Sequence, residues 1–222
     1  MPPQNDTTQP TFERLQSIIG GDGTSIRQQF ILAGLLLTIF ERFKEYAVKQ
    51  VDEFFAHQYE VRDGDLAPIR GETFKALIKE RGKGQPGQHG NKDFRAALHW
   101  FRDLNAIDQV ELEEVERLYT LRNAIGHELF AIIADDRKQP IKASDVAMAL
   151  GIYVKVVRWW IREIEAAIDP DMTQEKYDSI NWDEAESTDT AFLRLILQKS
   201  LAGDPEWETL QQAVREFAAA AK

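Results

Sequence analysis

The sequence predicts an all-α fold, an up-and-down helical bundle of four or five long helices with extra helices at its C-terminal end. Three observations predict it. Apolar residues recur at three- and four-residue steps through several long segments. No segment sustains the two-residue alternation of a strand, and no repeat of 20–50 residues is visible. Breakers separate the periodic segments: GGDG at Gly20 to Gly23, GKGQPGQHGN at Gly82 to Asn91, Pro140, and Asp204–Pro205.

Taken in order, Met1 to Pro10 reads as a flexible tail and Thr11 to Gly20 as a short first helix, so residues 1–23 precede the bundle. Thr24 or Ser25 caps a long helix expected from about Ile26 to about Tyr59. Its first half is apolar nearly all round, which suits a buried position. Its second half narrows to Phe43, Ala47, Val51 and Phe54/Phe55, with Glu41/Glu45 and Glu45/Lys49 as four-residue pairs on the charged side. Arg70 to Arg81 is a short helix, followed by the glycine-rich loop. Asp93 to Ile107 is the next helix, with Phe94, Leu98, Phe101 and Leu104/Asn105 on one side and His99 as a packed or half-exposed neighbour of the core.

A helix from about Gln109 to Asp135/Asp136 follows, then one from Asp145 to about Ile168 capped by Ser144, in which Trp159 and Trp160 fill the core. The bundle thus spans residues 24–168. Residues 169–222 form an acidic, structure-poor linker and two short helices, Thr190 to Leu201 and another after Asp204–Pro205, where aspartate caps and proline takes the first helical position.

With 222 residues and 43% hydrophobic content, the chain can bury a full core. It has no cysteine, which excludes disulfides, thiolate metal sites and a cysteine nucleophile, and suits a reducing cytoplasm. No leader is visible, and the longest apolar run, Phe30 to Phe40, is too short to span a bilayer. A cytoplasmic protein without membrane contact is expected. The net charge of −10 argues against a protein that simply coats nucleic acid. That charge is uneven. Glu163 to Asp189 holds ten acids and one base, whereas Arg62 to Arg95 holds eight Lys/Arg against five Asp/Glu, so a locally positive cleft is compatible with the acidic total.

One cluster stands out. Glu114 to Ile133, EVERLYTLRNAIGHELFAII, is an amphipathic helix with Arg122, Asn123 and His127 near its middle. Asn123 and His127, four apart, share a face, whereas Arg122 and His127, five apart, sit about 140° apart on an ideal helix. They converge only if the turn loosens, most cheaply at Gly126, or if a second chain supplies one of them. No HExxH, no dense His/Asp/Glu spacing and no cysteine are present, so no metal or cofactor is expected.

RNAIGH, Arg122 to His127, resembles the RX4–6H motif of HEPN domains, an arginine and a histidine separated by four to six residues, with a polar residue (Asn123) directly after the arginine. The resemblance covers about Ile26 to Ile168. It implies an all-α bundle and a metal-independent endoribonuclease acting as a toxin or antiviral abortive-infection effector. Other members are non-catalytic RNA-binding modules. It also implies a homodimer in which the motifs of two chains meet in one cleft. Toxins of this family paired with a small nucleotidyltransferase antitoxin often carry a tyrosine two residues after the histidine. Here that position is Leu129, followed by Phe130.

The residue types fit the chemistry without the family name. RNA is cleaved without metal when the ribose 2′-OH attacks its own phosphate, which needs a base near neutral pKa, an acid for the departing 5′ oxygen and a fixed cation. Histidine titrates in that range, arginine forks onto two phosphate oxygens, and the Asn123 amide can orient either. An acid–base pair wants two such groups, and a two-fold dimer repeats His127 opposite itself. Lys79, Arg81, Lys83 and Lys92 around the glycine-rich loop are the candidate RNA-binding cations, although the loop lacks the GxxxxGK[ST] pattern. An antitoxin or regulatory protein is the candidate protein partner, and the acidic stretch a candidate internal lid over the basic cleft.

Overall fold

The computed structural model describes residues 24–56, 58–83, 91–135, 138–200 and 212. The expected helix at Thr11 to Gly20, the glycine-rich loop from residue 84 to 90 and the helix after Asp204–Pro205 lie outside them, residue 212 apart. The described part is predominantly helical, as the periodicity predicts, and forms a bundle around one core.

Helix α1 (Thr24–Phe54) is the long central element. Leu32, Leu36, Ile39, Phe40, Phe43, Ala47 and Val51, at three- and four-residue steps, are fully buried. The apolar first half is not buried all round, however: Phe30 is 55% exposed, and Gly34 and Thr38 are exposed with it. The expected Glu45/Lys49 pair is replaced by Arg42–Glu45 at 2.8 Å, three residues apart.

The helix stops at Phe54 rather than near Tyr59, and the next residues form a hairpin that the periodicity did not announce. Strands β1 (Gln58–Arg62) and β2 (Asp65–Ile69) pair antiparallel, Arg62 opposite Asp65 and Gln58 opposite Ile69. Asp63 and Gly64 between them both have positive φ, 52° and 93°, the backbone of a two-residue hairpin turn whose twist suits the flanking strands. The ribbon returns the chain to the end of α1. There Gly71 is required, because a Cβ at that position would meet the Phe55 carbonyl oxygen at 2.1 Å.

Arg70 then locks three elements together. Its guanidinium bonds Asp52 of α1 through Nε and Nη2 (3.1 and 3.0 Å), and Asp93 through Nη1 (2.7 Å), while lying 5.0 Å over the Phe74 ring. Phe74 is the buried residue of α2 (Glu72–Arg81), and Asp93 opens α3 (Lys92–Asp103), capped by the Asn91 side chain at 2.9 Å from Asp93 N. Helix α3 ends at Asp103, four residues before Ile107, because the chain turns at Asn105 with φ 60°. Leu104 is accordingly 42% exposed instead of joining the inner stripe.

Helix α4 (Gln109–Ala134) starts with a reciprocal cap, Asp108 accepting from Glu111 N and Glu111 from Asp108 N, both at 2.8 Å. Helix α5 (Ala143–Trp160) begins before Ser144, with the Asp145 side chain accepting from Lys142 N at 3.0 Å. It continues through a π-helical turn, Ile161–Glu165, into Ala166–Ile168. Trp160 is buried as expected, and Trp159 packs on Trp100 and Phe101.

The acidic stretch is less bare than its composition suggests. It holds α6 (Gln174–Ser179), a 3-10 turn at Trp182–Glu184 and the start of α7 (Thr188–Ser200). Leu193 and Leu197 join the core, and Asp189 pairs with Arg42 of α1, so this segment is seated on the bundle. No helix among the described residues is long and apolar enough to cross a membrane.

Candidate functional site

Helix α4 brings its polar cluster to the seam with α1. The two helices run antiparallel: Arg122 meets Glu41, Phe40 packs on Tyr119 at 5.7 Å, and Gln29, nearer the start of α1, exchanges hydrogen bonds with Ile141 beyond the end of α4. Arg122 Nη2 lies 2.5 Å from Glu41 Oε1, and Nη1 donates to Asn123 Oδ1 at 3.0 Å. The Arg122–Glu41 contact is close enough for an ion pair but leaves hydrogen-bonding capacity unused. Arg122 Nε is buried without a hydrogen-bond partner. Burial pushes the Glu41 carboxyl up, but Lys44 and then Arg122 outweigh it and hold the group below the usual carboxylate range. The partner of Arg122 is thus Glu41 of the neighbouring helix α1. No local pattern could have named it, since the two residues are far apart in sequence.

One turn on, His127 is exposed, with Asn123 half-buried on the same side. Gly126 beside it is open, with nothing within 4 Å of where a Cβ would stand. The helix does loosen here, though at Glu128 rather than at the glycine. Glu128 has φ −130° and ψ 19°, a break directly after the histidine. Its carboxylate pairs with Lys138 at 2.7 Å, and that pairing, with a smaller part from His127, holds it below the usual range. Among the described residues no hydrogen bond joins Arg122 to His127, so within one chain the two face different partners: one the α1 seam, the other solvent.

Apolar residues are exposed on both helices of the seam. Phe130, three residues past His127, is 73% exposed. On α1, Glu41, Gly34 and Phe30 lie at seven- and four-residue steps and so share a face. Since Glu41 meets Arg122, the exposed Phe30 and Gly34 flank the same seam toward the end where Phe130 lies.

Of the four expected RNA-binding cations, Lys79 and Lys83 are exposed at the end of α2 and just beyond it, and Lys92 is exposed at the start of α3. None of the three makes an ion pair among the described residues. Arg81 is half-buried and committed to Asp103 at 2.7 Å. The Asn91 N–H, adjacent to Lys92, donates to Tyr119 Oη at 3.1 Å, which fixes this end of the basic stretch one turn from Arg122. His99 is half-buried with Nδ1 unpartnered, and burial followed by Arg102 and Arg81 pushes its pKa down, as suits a packed neighbour of the core. Among the described residues no three His, Asp or Glu side chains group as a metal site would need.

No family model, no curated protein and no solved structure matches this chain.

Proposed function

We propose that the protein is a metal-independent endoribonuclease of HEPN type, a toxin or antiviral defence effector, whose active site is completed by a second copy. The observation that carries the reading is His127 exposed on the broken helix α4, with Asn123 one turn before it and Arg122 beside it. In the reaction His127 of one chain takes the proton of the ribose 2′-OH as O2′ attacks phosphorus. The symmetry-related histidine gives a proton to the departing 5′ oxygen, leaving a 2′,3′-cyclic phosphate and a free 5′-hydroxyl. Arg122 supplies fixed positive charge for the phosphorane oxygens, and Asn123 orients either group through its amide.

Arg122 is 30% exposed and spends one N–H of each terminal nitrogen, which supports a guanidinium with capacity left for an anion, and exposed Phe30, Gly34 and Phe130 support a second copy at this seam. Lys79, Lys83 and Lys92 supply cations for the RNA backbone on the neighbouring surface. Leu129 at the place of the modified tyrosine argues that any antitoxin acts by another route. A second reading, a non-catalytic module that binds RNA or a nucleotide or a partner protein, is favoured by one contact, the Glu41 carboxylate, which already neutralises Arg122.

Purified protein incubated with tRNA and mRNA in EDTA separates the two. The ribonuclease predicts cleavage that falls about 10²- to 10⁴-fold in His127→Ala while the melting temperature stays within about 1 °C, because the ring is exposed. Saturable, salt-dependent RNA binding with no cleavage by the wild type selects the binding module.

A further inference from the structure

A groove lies away from the α1–α4 seam, between α5 and the segment from residue 181 to 194. Its volume is about 880 Å³, within the range of small-molecule sites. On the α5 wall stand Lys155, Arg158, Trp159 and Arg162, and across from them Trp182 and Glu184.

The cations are not equivalent. Lys155 is spent on both oxygens of Glu111, at 2.8 and 2.9 Å. Arg158 donates only Nε, to the Ala185 carbonyl at 3.0 Å, and its two terminal nitrogens make no hydrogen bond among the described residues. One wall of the groove thus fixes the plane of a guanidinium whose outer fork remains available, the geometry that grips two oxygens of a phosphate. Arg162, one turn further, pairs only with its neighbour Glu163, and both side chains are more than 40% exposed, so the pair is weak and displaceable. Arg162 also falls in the π-helical turn Ile161–Glu165, a departure from regular helix often found at functional sites.

Both indoles are held from behind. Trp159 packs on Trp100 and Phe101, with centroids 6.1 and 5.9 Å apart, and Trp182 packs on Tyr177 at 4.8 Å and donates Nε1 to its carbonyl. Each is half-buried and lines the groove, one on either wall. The groove is therefore polar across its width, with unspent guanidinium on one side, carboxylate on the other and fixed aromatic surface on both.

We infer that this groove binds a mononucleotide, its phosphate on Arg158 and Arg162, its base against an indole, and its ribose hydroxyl or ring N–H donors toward the acidic wall. A bare phosphate would use only one wall and no aromatic surface. The inference does not rest on the ribonuclease reading, since none of these residues belongs to the α4 cluster.

Titration calorimetry of the intact protein tests it, with AMP, UMP, adenosine and inorganic phosphate as separate probes. Expected is saturable binding of AMP or UMP, with adenosine and phosphate each at least about tenfold weaker. Arg162→Gln, which touches only Glu163 and so spares the fold, weakens nucleotide binding at least about tenfold, Arg158→Gln does the same, and His127→Ala leaves it unchanged. No binding of either nucleotide up to about 5 mM, phosphate binding as tightly as nucleotide, or an Arg162→Gln protein binding like wild type would each overturn the assignment.

Discussion

Arg70 and Arg122 occupy comparable positions: both side chains are about one third exposed (33% and 30%), and both tie the long helix α1 to a neighbouring element. Their surroundings differ. Arg70 bonds two carboxylates through all three of its nitrogens and covers a phenyl ring, so none of its nitrogens lacks an anionic partner. Arg122 meets one carboxylate and the amide of the next residue, and keeps a buried Nε without a partner. A cation placed for structure is saturated by its own chain, because any unpaired buried donor costs stability. On the proposed function, the open edge of Arg122 receives the RNA phosphate, whereas Arg70 serves the fold.

The largest effect that tests this contrast is on cleavage by Arg122→Ala. RNA cleavage should drop about 10²- to 10³-fold, the usual loss for one transition-state donor, while stability falls by about 1 kcal/mol or less because Glu41 keeps Lys44. Next comes Arg70→Ala, which strands Asp52 and Asp93 and should cost about 2 kcal/mol by urea denaturation, discounted for partial exposure. Its cleavage rate below the melting transition should stay near wild type. Equal losses of stability in the two variants would erase the distinction.

The smallest effect concerns Glu41. Its carboxyl lies below 4.5 in the folded protein, so its contribution is fully present above pH 4.5 and is lost as pH falls through the folded value. Urea midpoints followed from about pH 6 down to about pH 3 should show this acid limb in the wild type and a shallower one in Glu41→Gln. An unchanged limb would mean that the contact does not hold in solution.

How much of this was legible in the sequence depends on the range of the interaction. Three- and four-residue periodicity located the five longest described helices because burial of one face is a local pattern, and the glycine-rich break beginning at Gly82 marked the end of α2. The hairpin was missed for a physical reason: Val51, Phe55 and Tyr59 continue the helical stripe across its start, and a five-residue ribbon offers too little alternation to compete. Asp63–Gly64 was the signal that could have found it. The cluster of Arg122, Asn123 and His127 was legible as a motif, and its exposed histidine could be checked. Glu41 as the partner of Arg122, and the groove under residues 181 to 194, arise from contacts between distant segments and left no local trace. The break at Glu128 was half legible, expected at Gly126 and found two residues later.

The widened turn Ile161–Glu165 accommodates more backbone per revolution than the regular helix on either side. Removing a single amino acid from it would let the coil close up to ordinary pitch and leave whatever follows on nearly the same azimuth, because the wide turn absorbs one extra residue without rotating what comes after. The same deletion inside regular α5 would instead swing the C-terminal strap by about 100° around the axis and turn Ala166, now tucked inward, away from the bundle. Five residues thus act as slack that takes up a length change while the strap keeps its direction of departure.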